Sequence, residues 1–229
     1  KMTYGYRRIW YLSVKNGFTY CRETIRNLMT KLGLKVTLYH RKGERYSSYK
    51  GHVGKLVENK LKQQFRAIQP LTVLHTDVTQ VKTRQGWGYI SVILDQASKE
   101  VISWQVGSHP DAILVEQTLS QLPKGITPIL HSDQGAVYQR DFYQQKLRSM
   151  NITPSMSRKG NCLDNAPIES FFSLLKREFL NRIPIESVND LKLKMHEYVS
   201  WYNTKRISLN KKGMTPVEYR LNYWHHAKN

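Results

Sequence analysis

The sequence predicts an α/β fold in which a mixed sheet is flanked by helices and preceded by a helical, helix-turn-helix-like segment. Three observations predict it. Apolar residues recur at helical spacing around a Gly turn near the N-terminus, three β-rich runs follow one another with turn signals between them, and short strands then alternate with helices. The 229 residues, 40% hydrophobic and 11% aromatic, suffice for a real core over one or two domains. That composition excludes a collagen-like or wholly disordered chain.

The spacing predicts a helix over residues 19–34, with Thr24, Ile25, Leu28, Met29 and Leu32 at intervals of three and four and Gly33 placed to stop it. A shorter helix precedes it over residues 6–15. The turn Asn16-Gly17-Phe18-Thr19 between them, with Arg22, Arg26 and Lys31 on the polar side of the second helix, is compatible with a helix-turn-helix reader of DNA and equally with an ordinary helical hairpin carrying a solvated basic face. Residues 35–70 interleave Lys and Arg with Tyr39, Tyr46, Tyr49 and Phe65, as a basic linker lying along a phosphate backbone would. Strands are expected over 71–81, 88–94 and 101–106, as adjacent antiparallel neighbours. A helix over 111–121, a strand over 127–131, a helix over 141–150 and a strand over 151–156 make the α/β alternation. A loop over 157–161 leads to a helix over 165–181. A last helix over 188–202 precedes a basic tail that reads as irregular. The elements divide the chain into a helical segment (1–50), a basic linker (51–70), an α/β core (71–182) and a C-terminal helix with basic tail (183–229).

The 36 Lys and Arg against 17 Asp and Glu give a formal net charge of +19, which points to a polyanionic partner. Residues 1–70 carry 16 basic and 3 acidic side chains, residues 71–157 carry 7 of each, and residues 158–229 carry 13 and 7. Two basic flanks enclose a balanced segment that would hold the chemistry. Cys21 and Cys162 lie far apart without metal-ligand spacing, which argues against a disulfide framework or structural zinc and for a reducing compartment. No apolar run is long enough for a membrane helix, and no hydrophobic signal core opens the chain. Because it begins with Lys1, the chain is expected to be part of a longer product.

Three acids stand out in the sequence. Asp77 lies inside the first strand, where a bare charge is costly. Asp133 lies just past the fourth strand, at an edge that in α/β sheets commonly opens onto a ligand crevice. Glu169 lies on the helix that begins near Asp164-Asn165-Ala166-Pro167. There Ile168, Phe171, Leu175 and Phe179 form the core stripe, and Glu169, Ser173 and Lys176 share the adjacent one. Three carboxylates could hold the two hard divalent ions that phosphodiester chemistry often uses. Singly, Asp77 also reads as an edge-strand charge, Asp133 as a turn residue and Glu169 as a solvated helix position. Asp95 reads as a structural turn acid and Asp164 as a helix cap. His75 and His131 read as core or hydrogen-bonded residues, and Ser132 and Cys162 lack the partners of a covalent nucleophile.

Thr76-Asp77-Val78-Thr79, His131-Ser132-Asp133-Gln134-Gly135 and Asp164-Asn165-Ala166-Pro167-Ile168-Glu169-Ser170-Phe171-Phe172 resemble the three catalytic motifs of bacterial insertion-sequence transposases with a retroviral-integrase-like core. The 35 residues between Asp133 and Glu169 match that family's spacing, and Lys176 matches a basic position thought to contact the element end. Tyr4-Gly5-Tyr6-Arg7-Arg8-Ile9 resembles the family's upstream DNA-binding segment. Trp201-Tyr202-Asn203 and Thr215-Pro216-Val217-Glu218-Tyr219 resemble its C-terminal signature.

The resemblance implies a ribonuclease-H-like fold and a DDE transposase that cuts element ends and transfers strands, with Asp77, Asp133 and Glu169 as catalytic residues ligating two Mg²⁺ that Mn²⁺ could replace. It implies double-stranded DNA as partner, both element terminal repeats and target. A homodimer or higher oligomer on DNA and a cytoplasmic, nucleoid-associated location in bacteria follow from the same likeness. The candidate DNA contacts are Lys176, Arg177, Arg158, Lys159, Arg7, Arg8, Arg22 and Arg26. A metal nuclease of the same fold that cuts without joining, and a non-catalytic DNA-binding fragment, remain alternatives at the level of sequence.

Overall fold

The computed structural model describes residues 3–38, 57–61, 67–158 and 162–227. Its centre is a five-stranded mixed sheet in the order β3-β2-β1-β4-β5. β1 (Val73–Thr83) and β2 (Gly86–Asp95) form a hairpin, and β3 (Val101–Gly107) adds antiparallel to β2. β4 (Ile129–Ser132) pairs parallel to β1, and β5 (Thr153–Met156) pairs parallel to β4. The expected meander of three strands followed by α/β alternation is therefore present.

The period of two along β1 decides which layer each residue meets. Leu74, with Ile93 of β2 and Leu130 of β4, packs against α3 (Ala112–Ser120) and α4 (Asp141–Ser149) through Val115, Leu119, Tyr143 and Leu147. Val81, with Ile90, Val92 and Leu94, packs on the other face against α5 (Ala166–Glu178) and α6 (Val188–Thr204). The expected core stripe of α5 is buried as read, Ile168, Phe171, Leu175 and Phe179 all lying within the core.

The N-terminal segment folds as α1 (Tyr6–Lys15) and α2 (Arg22–Lys31). α1 leans on the C-terminal part of the chain: the Ile207 N–H donates to the Tyr4 hydroxyl at 3.0 Å, and Arg8 lies 3.8 Å from Glu178. Glu178 in turn accepts two 2.7 Å hydrogen bonds from Arg206, in a pair almost wholly out of water.

One expectation is corrected. The tail is not irregular: α7 (Pro216–His226) starts at a capping box in which Thr215 accepts from the Glu218 N–H while Glu218 accepts from the Thr215 N–H. Thr at the cap, Pro at the first helical position and Glu two residues later carry this signal. Most of the expected basic linker lies outside the described residues; within 57–61 the chain rests on the core. The Asn59 side chain donates to Asp164 at 2.9 Å, the Lys60 N–H donates to Ser155 at 3.0 Å, and Leu61 is buried.

Candidate active site

The register of β1 and β4 builds the site. His75 and His131 are direct partners across the parallel pair, so Asp77, midway along β1, and Asp133, just past the end of β4, each two residues further on, lie side by side. Because residues two apart share a strand face, both acids continue the line of the histidines toward α5 rather than pointing away from it. Asp77 is half-buried and accepts from the Val78 N–H at 2.7 Å. β4 stops at Ser132, and the chain turns so that the Gly135 N–H donates to Asp133 Oδ1 at 2.8 Å. A Cβ on Gly135 would lie 2.9 Å from that same oxygen and 3.3 Å from the Tyr138 ring, so a side chain there would displace the Asp133 carboxylate.

Glu169, in the first turn of α5, completes the group at its exposed edge. The three carboxylates feel one another. Burial, then Asp133 and Glu169, push the Asp77 carboxyl up to about 8 against the opposing Val78 N–H and Lys176. Burial raises Asp133 against the Gly135 N–H, and burial followed by the Asp133 charge raises Glu169. Lys176 is lowered by burial and held up in part by Asp77. Such like-charged, partly desolvated acids in one crevice are the pattern of a functional site.

A scaffold of neutral polar groups holds the acids from behind. The Asn165 amide nitrogen donates to Thr76 O at 3.3 Å, which leaves its oxygen to accept from His75 Nδ1 at 2.8 Å. His75 Nε2 meets Gln96 at 2.7 Å. His131 bridges Ser155 and Ser157 at 2.9 and 3.1 Å. Burial lowers the basicity of both rings, His131 to about 4. The histidines are thus hydrogen-bonded core residues, as expected. Asn165 joins the start of α5 to β1, a link that its position beside a helix cap did not announce. Asp164 is not the cap expected of it: it accepts from Arg158 through the backbone and both arms of the guanidinium, and from Asn59. Asp95 accepts from the Leu71 and Ser98 N–H groups and the Ser98 hydroxyl, a structural role as read.

The donor set suits a hard divalent ion, since it offers only carboxylate oxygens whose mutual repulsion a cation would relieve. Among the described residues no three His, Cys, Asp or Glu side chains form a single-ion cage. The arrangement suits ions held by one or two carboxylates each and completed by water and phosphate oxygens, the manner of Mg²⁺.

The basic candidates are scattered. Lys176 and Arg177 are on α5, Lys176 within reach of the Asp77 charge and Arg177 donating to Ser173 O at 3.2 Å, and Arg158 is tied to Asp164 with its side chain largely exposed. Lys159 lies outside the described residues. On α1, Arg7 is exposed beside Tyr6, whereas Arg8 is drawn inward to Glu178 and the Tyr4 ring. On α2, Arg22 covers the Trp10 ring at 4.4 Å and Arg26 pairs with Glu23 at 2.6 Å.

Comparison with known proteins decides the family. The chain is 40% identical over 221 residues to the putative transposase InsK for insertion sequence element IS150 of Escherichia coli, covering 95% of this chain and 77% of that one. This chain belongs to the insertion-sequence transposases. A transposase-like protein of Haemophilus influenzae is also 40% identical, over 86% of this transposase and 92% of its own length. The Integrase core domain family matches residues 67–162, which contain Asp77 and Asp133, and a second family of the same description matches residues 169–222, which begin at Glu169. The magnesium complex of the HTLV-2 integrase catalytic core, in its dimeric form, superposes with a TM-score of 0.53 at 18% identity, over 68% of the transposase and 99% of that chain. The ribonuclease-H-like, integrase-type fold expected from the motifs is the fold observed.

Proposed function

We propose that Asp77, Asp133 and Glu169 are the catalytic carboxylates with which this transposase cuts DNA at the ends of its element and joins the freed strand to a target. The observation that carries the reading is the convergence, midway along β1 and at the C-terminal end of β4, of three mutually repelling acids, with Asp77 raised to about 8. Two Mg²⁺ ions, or Mn²⁺ in their place, would supply a more acidic attacking water and neutralise charge at the scissile phosphate. The chain's own residues do the positioning. The Val78 and Gly135 N–H groups each fix one oxygen of an aspartate, α5 brings Glu169 from the opposite wall, and Lys176 offers a cation to the phosphate beside them. In-line displacement needs no covalent intermediate, so positioning and charge suffice. The magnesium named for the HTLV-2 core supports the choice of ion. Joining two DNA ends calls for a dimer or larger assembly on DNA, and the work of such an enzyme lies on the bacterial nucleoid.

Strand cleavage and joining on labelled duplexes carrying candidate element ends, with Mg²⁺ or Mn²⁺, test the reading. The expected result is metal-dependent joined products that Asp77→Ala and Glu169→Gln both lose while DNA affinity stays nearly unchanged. Cutting that persists in Glu169→Gln removes its proposed role, and cutting without joining reassigns the chain to the nucleases of this fold.

A further inference from the structure

The N-terminal helices are built onto the far end of the helix that carries Glu169. α1 meets the rest of the chain along one stripe, since Arg8, Tyr11 and Lys15 recur at intervals of three and four and Tyr4 continues the line before the helix begins. The Tyr4 hydroxyl accepts from the Ile207 N–H at 3.0 Å, and its ring lies 6.4 Å from that of Trp201. The Arg8 guanidinium lies over the Tyr4 ring at 5.1 Å and stands 3.8 Å from Glu178, the last residue of α5. Tyr11 covers Gly213, where a Cβ would come within 2.6 Å of the ring, and Lys15 pairs with Glu218 of α7. After α2 the chain comes back to the same place: Val36 lies beside Gly5, and Arg182, four residues past α5, donates to Thr37 at 2.9 Å.

α5 is therefore held at both ends by partners remote in sequence. Asn165 ties its start to His75 and Thr76 O, and Glu178 ties its end to Arg206 and Arg8. Glu169 is four residues from the first anchor, and Lys176 is two from the second. We propose that Arg8 is a positioning residue for strand cleavage: through Glu178 it sets the lie of the Lys176 end of α5, which makes α1 a strut of the cutting site and removes Arg8 from the contacts with DNA. The two hydrogen bonds from Arg206 already pair Glu178, so Arg8 is not needed to keep that carboxylate from being stranded. What Arg8 adds is a second direction of pull on the end of the helix. Glu178 is only 3% exposed, and attraction to a carboxylate out of water outweighs attraction to a phosphate across solvent. Arg7, one residue away, stays exposed. The proposal rests on the reading of the three acids as the DNA-cutting site.

The test uses the full chain and labelled duplexes carrying candidate element ends, with Mg²⁺ or Mn²⁺, at a temperature well below the melt. Single-turnover cleavage at saturating duplex and, separately, duplex affinity over a salt series are measured for Arg8→Gln and Arg8→Lys. Arg8→Gln leaves Arg206 on Glu178, so it strands no charge and keeps the fold. It should lower the cleavage rate by about tenfold, the cost of a group displaced by a fraction of an ångström, with duplex affinity and its salt slope unchanged. Arg8→Lys returns a cation to Glu178 and should recover most of the rate. A salt slope reduced by about 0.9 in Arg8→Gln, the share of one duplex phosphate, makes Arg8 a DNA contact and overturns the proposal. A cleavage rate equal to wild type, or a loss that Arg8→Lys does not recover, overturns it as well. Failure of the underlying reading is seen separately, as metal-dependent cutting that survives Asp77→Asn in the same preparations.

Discussion

Gly135 is a residue whose missing side chain matters as much as any carboxylate. Its N–H holds Asp133, and a methyl group there would collide with the oxygen being held. Gly135→Ala should therefore lower the rate of strand cleavage by on the order of 10- to 100-fold, the cost of a catalytic group displaced by a fraction of an ångström to an ångström, with the thermal melt barely moved. A cleavage rate equal to wild type would show that the Asp133 position does not depend on this turn. His131 sets a different expectation, on stability. Its native basicity is depressed to about 4 from the ordinary 6.5, so between those values the unfolded chain takes up a proton that the native chain refuses. Stability should fall as pH drops through that window and level off below it, by about 3 kcal/mol in all. Urea unfolding from pH 7 to pH 4 checks this, and His131→Asn should flatten the pH dependence at that end.

At the scale of elements, α5 and α7 show how local signals and distant partners divide the work. Pro167 in the first turn of α5 and the apolar stripe behind it mark that helix in the sequence. What fixes its distance from β1 is Asn165, hydrogen-bonded to His75 and Thr76 O some 90 residues away. No local pattern predicts a bond of that span. In α7 the balance is reversed. The capping box is fully written in Thr215-Pro216-Val217-Glu218, and the helix it starts holds Lys15 of α1 through the same Glu218. Thr215→Ala should cost about 1 kcal/mol, the usual loss of an N-cap, measured by denaturant unfolding. A change below a few tenths would mean that packing alone sustains α7.

Across the whole molecule, the buried Arg206–Glu178 pair ties the end of α5 to the segment after α6 and, through Arg8, to α1. Desolvation works against the Arg206 charge, and the two hydrogen bonds it donates to Glu178, with that carboxylate's charge, more than offset it, leaving the guanidinium even harder to deprotonate than usual. Removing one partner strands the other charge, so Glu178→Ala should destabilise the protein by about 3–5 kcal/mol. Glu178→Leu combined with Arg206→Leu should recover most of that loss, because two apolar side chains leave no unpaired charge. Equal destabilisation by the single and double variants would show that volume, not charge, sets the cost. The pair also bears on the basic N-terminal segment: Arg8 faces inward, and Arg7 is left more exposed on the same helix.

The sequence by itself determined the order of elements, the α/β class, the core stripe of α5 and the three acids, because each is written in short-range periodicity, turn chemistry or motif spacing that survives without knowledge of what lies alongside. It also determined the uneven charge, in which basic flanks enclose a neutral middle. The tertiary structure decided the rest. The parallel pairing of β4 with β1 set Asp77 next to Asp133, and the His75–Asn165 bond set α5 against them. These depend on pairings between residues tens of positions apart, whose closure is favoured by burial of the whole sheet and not by any local preference.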